Sequence, residues 1–551
     1  MKCRLLGAPT SSSLRILTCV TLALACAFVF FRAMDRDLNH DEHQFLAPAA
    51  LLSREGLLPY RDYPLFHLPN LVFLYGALDR VTGRLLLSAK LLSAACTAAI
   101  VALCFLTATR RARAARPLER WLFGCGALVL FLSDPLTVFS ACGKTWNHEL
   151  PAFLTVAALL CHLAAARRDS LLCMAASGVA IGLAIGTRLT FAPLAVPFAL
   201  FPLLQLLPMR RRLAHSATFT LATIAACAPS LWFLFTDREA FLFGNLEFPR
   251  LRLLDPENTR IRQTMTWWRK VRYFAKEIIV PSWPLFLGYI VLGVRPGWAW
   301  LRRRGAGGQA NALLLCVLPF VLLGCFAPSR YQYQHYFIFA PLLVLGVVFG
   351  ATSDPGANAR RRIIAVSLAA VSLLSLLITS LREEGAASFA WLGRIGRPAE
   401  WFPAKMRSLG LAIHQLAPTG KVLTLAPTWV LEGGGRIYPE FATGPFAWRS
   451  AEFAAPERRR GLKLVAPADL EAFLQNDPPA AILTGVEAEK LEKPLIAWAQ
   501  AHGFRAEPLS KKRTLWLPPS SSKEHHQWPK PEISRFRGLI SRYGIHSMRS
   551  L

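Results

Sequence analysis

Apolar residues arrive along the chain in long blocks separated by short polar stretches. The blocks at 14–33, 84–108, 121–140, 150–166, 170–187, 190–208, 215–235, 278–294, 311–327, 336–350 and 362–380 each approach the ~20 residues a bilayer requires. This pattern predicts eleven membrane-spanning helices. The block at 65–82 is apolar as well, but His67, Pro69, Asn70 and Asp79 interrupt it, so it reads as an interfacial or re-entrant helix. The first block is long for the core of a signal peptide and has no clean small-x-small site after it, so it reads as an uncleaved first span.

Beyond residue 380 the pattern changes. Residues 396–416 carry a helical period, Val422–Leu425 reads as a strand, 468–475 as a helix and 480–484 as a buried strand. Residues 486–503 read as a helix and Thr514–Leu517 as an edge strand. Alternating strands and helices predict a small α/β domain over 381–518. Gly433-Gly434-Gly435 lacks the spacing of a dinucleotide fingerprint and reads as a flexible loop. The basic, Ser- and His-rich stretch 519–551 is expected to be disordered. The predicted fold class is mainly α, a polytopic membrane protein over 1–380 with a small α/β extracytoplasmic C-terminal domain.

Composition agrees with this division. Of 551 residues 53% are hydrophobic, more than a soluble domain usually carries. The net charge of +29 could point to nucleic acid, but the arginines sit in short clusters between apolar blocks. With the N-terminus inside, eleven crossings put the clusters at 110–120, 167–168, 210–212, 302–304 and 360–362 on one side, as the positive-inside rule requires. A further crossing at 65–82 would break that agreement. The same count places 34–83, 143–149, 236–277, 328–336 and everything after 381 on the outer face. Most of the twelve cysteines lie within apolar blocks and none forms a Cys-x-x-Cys, so neither a disulfide framework nor a zinc site is indicated.

The outer segments hold the candidate chemistry. Asn39-His40-Asp41-Glu42-His43 follows the first span by a few residues, placing two carboxylates at the membrane rim, where charge costs less than in the core. Glu149 occupies another outer turn. Outer-face cations are Arg61, His67, Lys144, His148, Arg330 and His335, with Arg188 near the outer end of a span. Each could equally be an interfacial anchor. His40-x-x-His43 could hold a metal, but two histidines without a third ligand are a weak site. Lys90 is the one clear charge within a span. That scarcity disfavours the alternative of a transporter or flippase, whose ionisable sites lie near the midplane.

Asp41-Glu42 after the first span, the Gly56…Leu58-Pro59-Tyr60-Arg61-Asp62 stretch, the Pro69-containing segment and Tyr331-Gln332-Tyr333-Gln334-His335-Tyr336…Pro341 together resemble the polytopic GT-C glycosyltransferases. Within that group the chain is similar to bacterial relatives of dolichyl-phosphate-mannose protein mannosyltransferases and of lipid A aminoarabinose transferase, over roughly residues 14–380. The resemblance implies a bacterial inner-membrane enzyme with its active site on the outer face. It implies a polyprenyl-phosphate-linked sugar donor and a hydroxyl acceptor on a lipid, glycan or protein. It implies inverting transfer with Asp41 as base, Glu42 as a metal or acceptor contact and Glu149 as a second acidic residue. Arg61, His67, Lys144, Arg330 and His335 become the candidate contacts of the donor phosphate. Where aminoarabinose-type members have Lys-Pro-Pro before the interfacial helix, this chain has His67-Leu68-Pro69. No cofactor is called for, although a divalent metal is left open.

Overall fold

The computed structural model describes residues 11–140, 143–251, 254, 266–303, 307–328, 332–353, 358–383 and 391–519. Arg330, Tyr331 and the tail beyond 519 lie outside the described residues.

The first span is α1 (Ser11–Asp35). Two short helices follow on the outer side, α2 (His43–Glu55) and α3 (Asn70–Thr82), each of 13 residues. At 1.5 Å per residue each is only about 20 Å long, too short to cross a bilayer. They pack on each other as a hairpin. Arg54 clamps Asp79 with two bonds of 2.9 Å, and the Ser53 hydroxyl donates to the same carboxylate at 2.7 Å. The interfacial segment thus begins as helix at Asn70, with 65–69 irregular.

The bundle continues with α4 (Leu85–Arg111), α5 (Pro117–Leu132), the short α6 (Pro135–Ser140), α7 (Glu149–Arg168) and α8 (Leu171–Thr187). Among the described residues six helices are long and apolar enough to cross a membrane, or eight if two bent pairs each count as one span. The shorter helices at 117–132, 171–187 and 189–204 would complete the expected eleven.

Three expected spans are broken. The 215–235 block bends by 55° between Ala226 and Ala228. The 121–140 block ends as helix at Leu132, because Pro135 has no N–H to donate and Asp134 caps the next turn, accepting from Leu136 N at 2.9 Å. The 278–294 block is interrupted around Pro281, where Trp267–Ile279 and Trp283–Arg302 meet at 98°. The last two breaks touch, with the Ser282 hydroxyl donating to Asp134 at 3.0 Å.

Two of the basic loops are tied to neighbouring helix ends: Arg362 lies 3.5 Å from Glu119, and Arg211 and His215 lie 3.5 and 3.1 Å from Asp169.

The C-terminal sheet has the order β2-β1-β3-β5-β4. The strands are β1 (Lys421–Thr424), β2 (Arg436–Ile437), β3 (Ala481–Thr484), β4 (Arg505–Pro508) and β5 (Thr514–Leu517). β1 runs parallel to both β2 and β3, while β5 is antiparallel to β3 and to β4. β5 is therefore an inner strand, not the expected edge. β4 takes the edge, and its Arg-Ala-Glu-Pro sequence carries no strand pattern. Gly433–Gly435 is not a loose loop: a Cβ on Gly433 would fall 2.0 Å from the Gly410 carbonyl, so helix 402–416 rests directly on this turn.

Alternation along β1 sends Val422 and Leu423 to opposite faces. Leu423 joins a core with Tyr438, Ile482 and Leu495. Val422 joins a core that also contains Phe45 and Leu46 of α2 and Leu71 and Tyr75 of α3. The domain and the outer hairpin therefore share one hydrophobic core. Polar ties reinforce it: Arg54 donates to Leu431 O at 2.5 Å, and the Glu432 carboxylate accepts from Leu86 N at 2.9 Å, at the N-terminus of α4.

Candidate active site

The stretch Asn39–His43 divides its residues between scaffold and site. Asn39 caps a 3-10 turn, accepting from Asp41 N at 3.0 Å, while Glu42 accepts from Asn39 N at 2.7 Å, a reciprocal capping box. The other Glu42 oxygen accepts from both the backbone N and the hydroxyl of Thr145 at 2.5 Å. Glu42 is fully buried. His43 is buried too, with Nδ1 2.7 Å from the Thr428 hydroxyl of the C-terminal domain. Burial, then the neighbouring His40, pushes its pKa down to about 3. His40-x-x-His43 therefore does not aim two rings at one ion, and among the described residues no three metal-binding side chains converge.

Asp41 and His40 remain at the surface of the site. Their side chains are 3.4 Å apart, with Asp41 only 23% exposed. The charge of Asp41 reaches Lys144, Arg188 and Glu487.

The turn 143–148 is built to lie against this stretch. Lys90, wholly buried, donates to Ala33 O at 3.1 Å, Arg36 O at 2.7 Å and Gly143 O at 2.9 Å. All three ammonium donors are used, two of them on carbonyls at the end of α1. The single charge noted in a span is thus a structural staple. Gly143 has φ +101°, and a Cβ there would sit 2.1 Å from the Ala33 Cα, so no other residue fits.

Beyond the turn a cationic and imidazole group assembles. Lys144 Nζ lies 4.2 Å over the Trp146 ring, and burial lowers its pKa. Arg188 stands in extended backbone between α8 and the helical segment 189–204. Its guanidinium bonds Asn147 Oδ1 at 3.0 Å, His148 at 2.8 Å and the Thr190 hydroxyl at 2.9 Å. Burial and then Arg188 hold His148 well below its ordinary value, so the ring is neutral and can accept. The His148 and His335 rings stack at 5.9 Å. His67 stacks on Phe45 at 4.9 Å, and its Nδ1 lies 3.4 Å from the Asn147 amide. A shallow, open cleft beside His335 is lined by Thr190, Phe191, Leu194 and Val321.

Of the sequence candidates, the structure brings His67, Lys144, His148, Arg188 and His335 together and sets Asp41 beside them. Arg61 is exposed on the turn after α2 and contacts none of this group. Glu149 is buried in the first turn of α7, within electrostatic reach of Glu42 and Lys144 and beside the Ser93 hydroxyl. Thr145 and Asn147 were not read from sequence. The capping box was legible, since Asn39 and Glu42 stand three apart.

No protein-family model matches the chain, and no curated protein matches it at a significant level. Solved structures do. ArnT from Cupriavidus metallidurans bound to undecaprenyl phosphate superposes with a TM-score of 0.55 at 15% identity, covering 92% of this chain and 98% of that one. Its apo form gives 0.55 at 16% identity with the same coverage. The Archaeoglobus fulgidus oligosaccharyltransferase tethered to an acceptor peptide gives 0.46 at 12% identity, covering 92% of this chain and 74% of that one. Over 92% of its length the chain therefore shares the fold of ArnT.

Proposed function

We propose that this protein transfers a sugar from a polyprenyl-phosphate donor to an acceptor hydroxyl at the outer face of a bacterial inner membrane. The observation that carries the reading is the placement of Asp41. Glu42 and His43 are committed to holding the fold, so Asp41 is the carboxylate of this stretch left at the site.

In the reaction the acceptor hydroxyl gives its proton to Asp41 as its oxygen attacks the anomeric carbon. The new C–O bond forms opposite the phosphate, the bond from the anomeric carbon to the phosphate oxygen breaks, and the configuration inverts. The polyprenyl phosphate leaves with an added negative charge, and the proton later passes from Asp41 to water. A leaving phosphate needs fixed positive charge. Lys144 and Arg188 supply it, with His335 stacked beside His148. Arg61, exposed and apart, has no part in this reading. Glu42 acts through the scaffold rather than on the substrate.

The test is release of polyprenyl phosphate by the purified protein in nanodiscs, supplied with a polyprenyl-phosphate-linked sugar and cell-envelope extract as acceptor source. Release with sugar appearing in the extract supports the reading. Movement of intact donor between leaflets without release would make the protein a flippase instead.

A further inference from the structure

The chain turns through 98° around Pro281, where Trp267–Ile279 meets Trp283–Arg302. At 1.5 Å per residue the second arm is about 30 Å long, the thickness of a bilayer's hydrocarbon core. It ends at Arg302 and Arg303, which the positive-inside rule keeps on the cytoplasmic side. The bend is therefore at the outer end of the span. A turn close to a right angle there lays Trp267–Ile279 along the membrane surface.

Side chains three and four apart on this arm share a face. Lys270 and Phe274 turn inward. The Lys270 ammonium donates to Phe326 O, and to Pro328 O at 2.9 Å. The Phe274 ring lies 6.1 Å from Phe326 and 5.4 Å from Tyr336. The opposite side has two flanks. One carries Trp267, Trp268 and Val271, with the two indoles 63% and 73% exposed. The other carries Arg269 and Arg272, also exposed. Lys276 extends this flank but lies 3.7 Å from Glu277. Among the described residues no carboxylate pairs with Arg269 or Arg272.

Two adjacent exposed indoles are costly in water and favourable at the headgroup level, where the ring is apolar and the N–H finds a partner. An aromatic flank beside a basic one is the pattern of a helix lying in the interface. A guanidinium fork matches the oxygens of a phosphate. We infer that Trp267–Ile279 is an interfacial helix that binds anionic phospholipid of the outer leaflet. The indoles sit at the acyl boundary, and Arg269 and Arg272 hold the headgroup phosphates. Charge selects the lipid. A zwitterionic headgroup brings its own ammonium to offset its phosphate, whereas an anionic one leaves the phosphate to the arginines. The bend keeps this face at the depth where lipid is already present, which favours lipid over a protein partner. The inner face of the same arm packs on Tyr336, next to His335, so the lipid-bound arm forms part of the wall behind the site. The inference stands on the membrane placement and not on the transferase reading.

The experiment is hydrogen exchange of the full-length protein in nanodiscs of two compositions. One is phosphatidylcholine alone, and the other is an equal mixture with phosphatidylglycerol. Exchange over 267–279 should be slower in the mixture by about 5-fold or more, the scale of one basic residue at an anionic surface. The double variant Arg269→Gln, Arg272→Gln should lose this difference. Arg505→Gln, exposed on the C-terminal domain, should keep it. If the double variant does not reconstitute, the two single variants give the same reading, each losing part of the difference. Equal exchange in the two compositions, or a difference that survives the arginine substitutions, overturns the inference. Slowing by polyprenyl phosphate added to phosphatidylcholine discs, with no effect of phosphatidylglycerol, would assign the face to the donor and overturn it as well.

Discussion

Neighbouring carboxylates in one short stretch have opposite duties. Glu42 spends its oxygens on Asn39 N, Thr145 N and the Thr145 hydroxyl, whereas Asp41 makes one loose contact with His40. Replacing Glu42 by Ala leaves two buried donors and one part-buried donor without an acceptor and should cost about 2–4 kcal/mol. Glu42→Gln keeps an acceptor and should cost less. Asp41→Asn should not move the unfolding temperature at all. Thermal unfolding of the three variants in detergent checks this ordering, and equal loss for Asp41→Asn would mean that Asp41 is scaffold as well. Sequence alone could mark both residues as candidates, because their position after the first span was visible. It could not separate them, because the partner that claims Glu42 is Thr145, more than a hundred residues away. The same holds for His43 and Thr428.

At the scale of elements, what could be read depended on how local the cause is. Apolar blocks and basic loops follow from transfer energy and charge, which are properties of the stretch itself, and helices appeared where the blocks lie, several of them broken or short. The breaks at Asp134 and Pro281 were written in the sequence as Ser-Asp-Pro and Val-Pro-Ser, but hydropathy averaged over them. β4 was invisible because Arg505–Pro508 is a strand only by pairing with β5. Lys90 appeared as an anomaly in a span, and its meaning depends on carbonyls from α1 and the 143 turn. Lys90→Met should strand those carbonyls and destabilise the protein by about 1–3 kcal/mol. It should also lower transfer activity, since the staple positions the turn that carries Lys144 and Asn147. Thermal unfolding together with donor turnover would show this. Full activity in Lys90→Met would mean that the turn holds its place without the staple.

For the whole molecule, the site lies where three parts meet: the outer loop, the 143–148 turn and the C-terminal domain. The shared core and Glu432 hold the domain down. Burial raises the Glu432 carboxyl to about 7, against the pull of Arg407 and Arg54. A carboxyl raised in the folded state contributes stability that is complete below its unfolded pKa. That stability is lost as pH rises through the folded value. The unfolding temperature of the unaltered protein relative to Glu432→Gln should therefore fall between about pH 5 and about pH 8. A constant difference across that window would mean that Glu432 ionises freely at the interface. The shared site itself is most directly tested by single-turnover transfer from a polyprenyl-phosphate-linked sugar in Asp41→Asn. Positioned proton transfer is worth ~10²–10⁴-fold, so the rate should drop by about that factor while donor affinity stays near that of the unaltered protein. Transfer by Asp41→Asn at the original rate would contradict the assignment of the base and with it the account of the site.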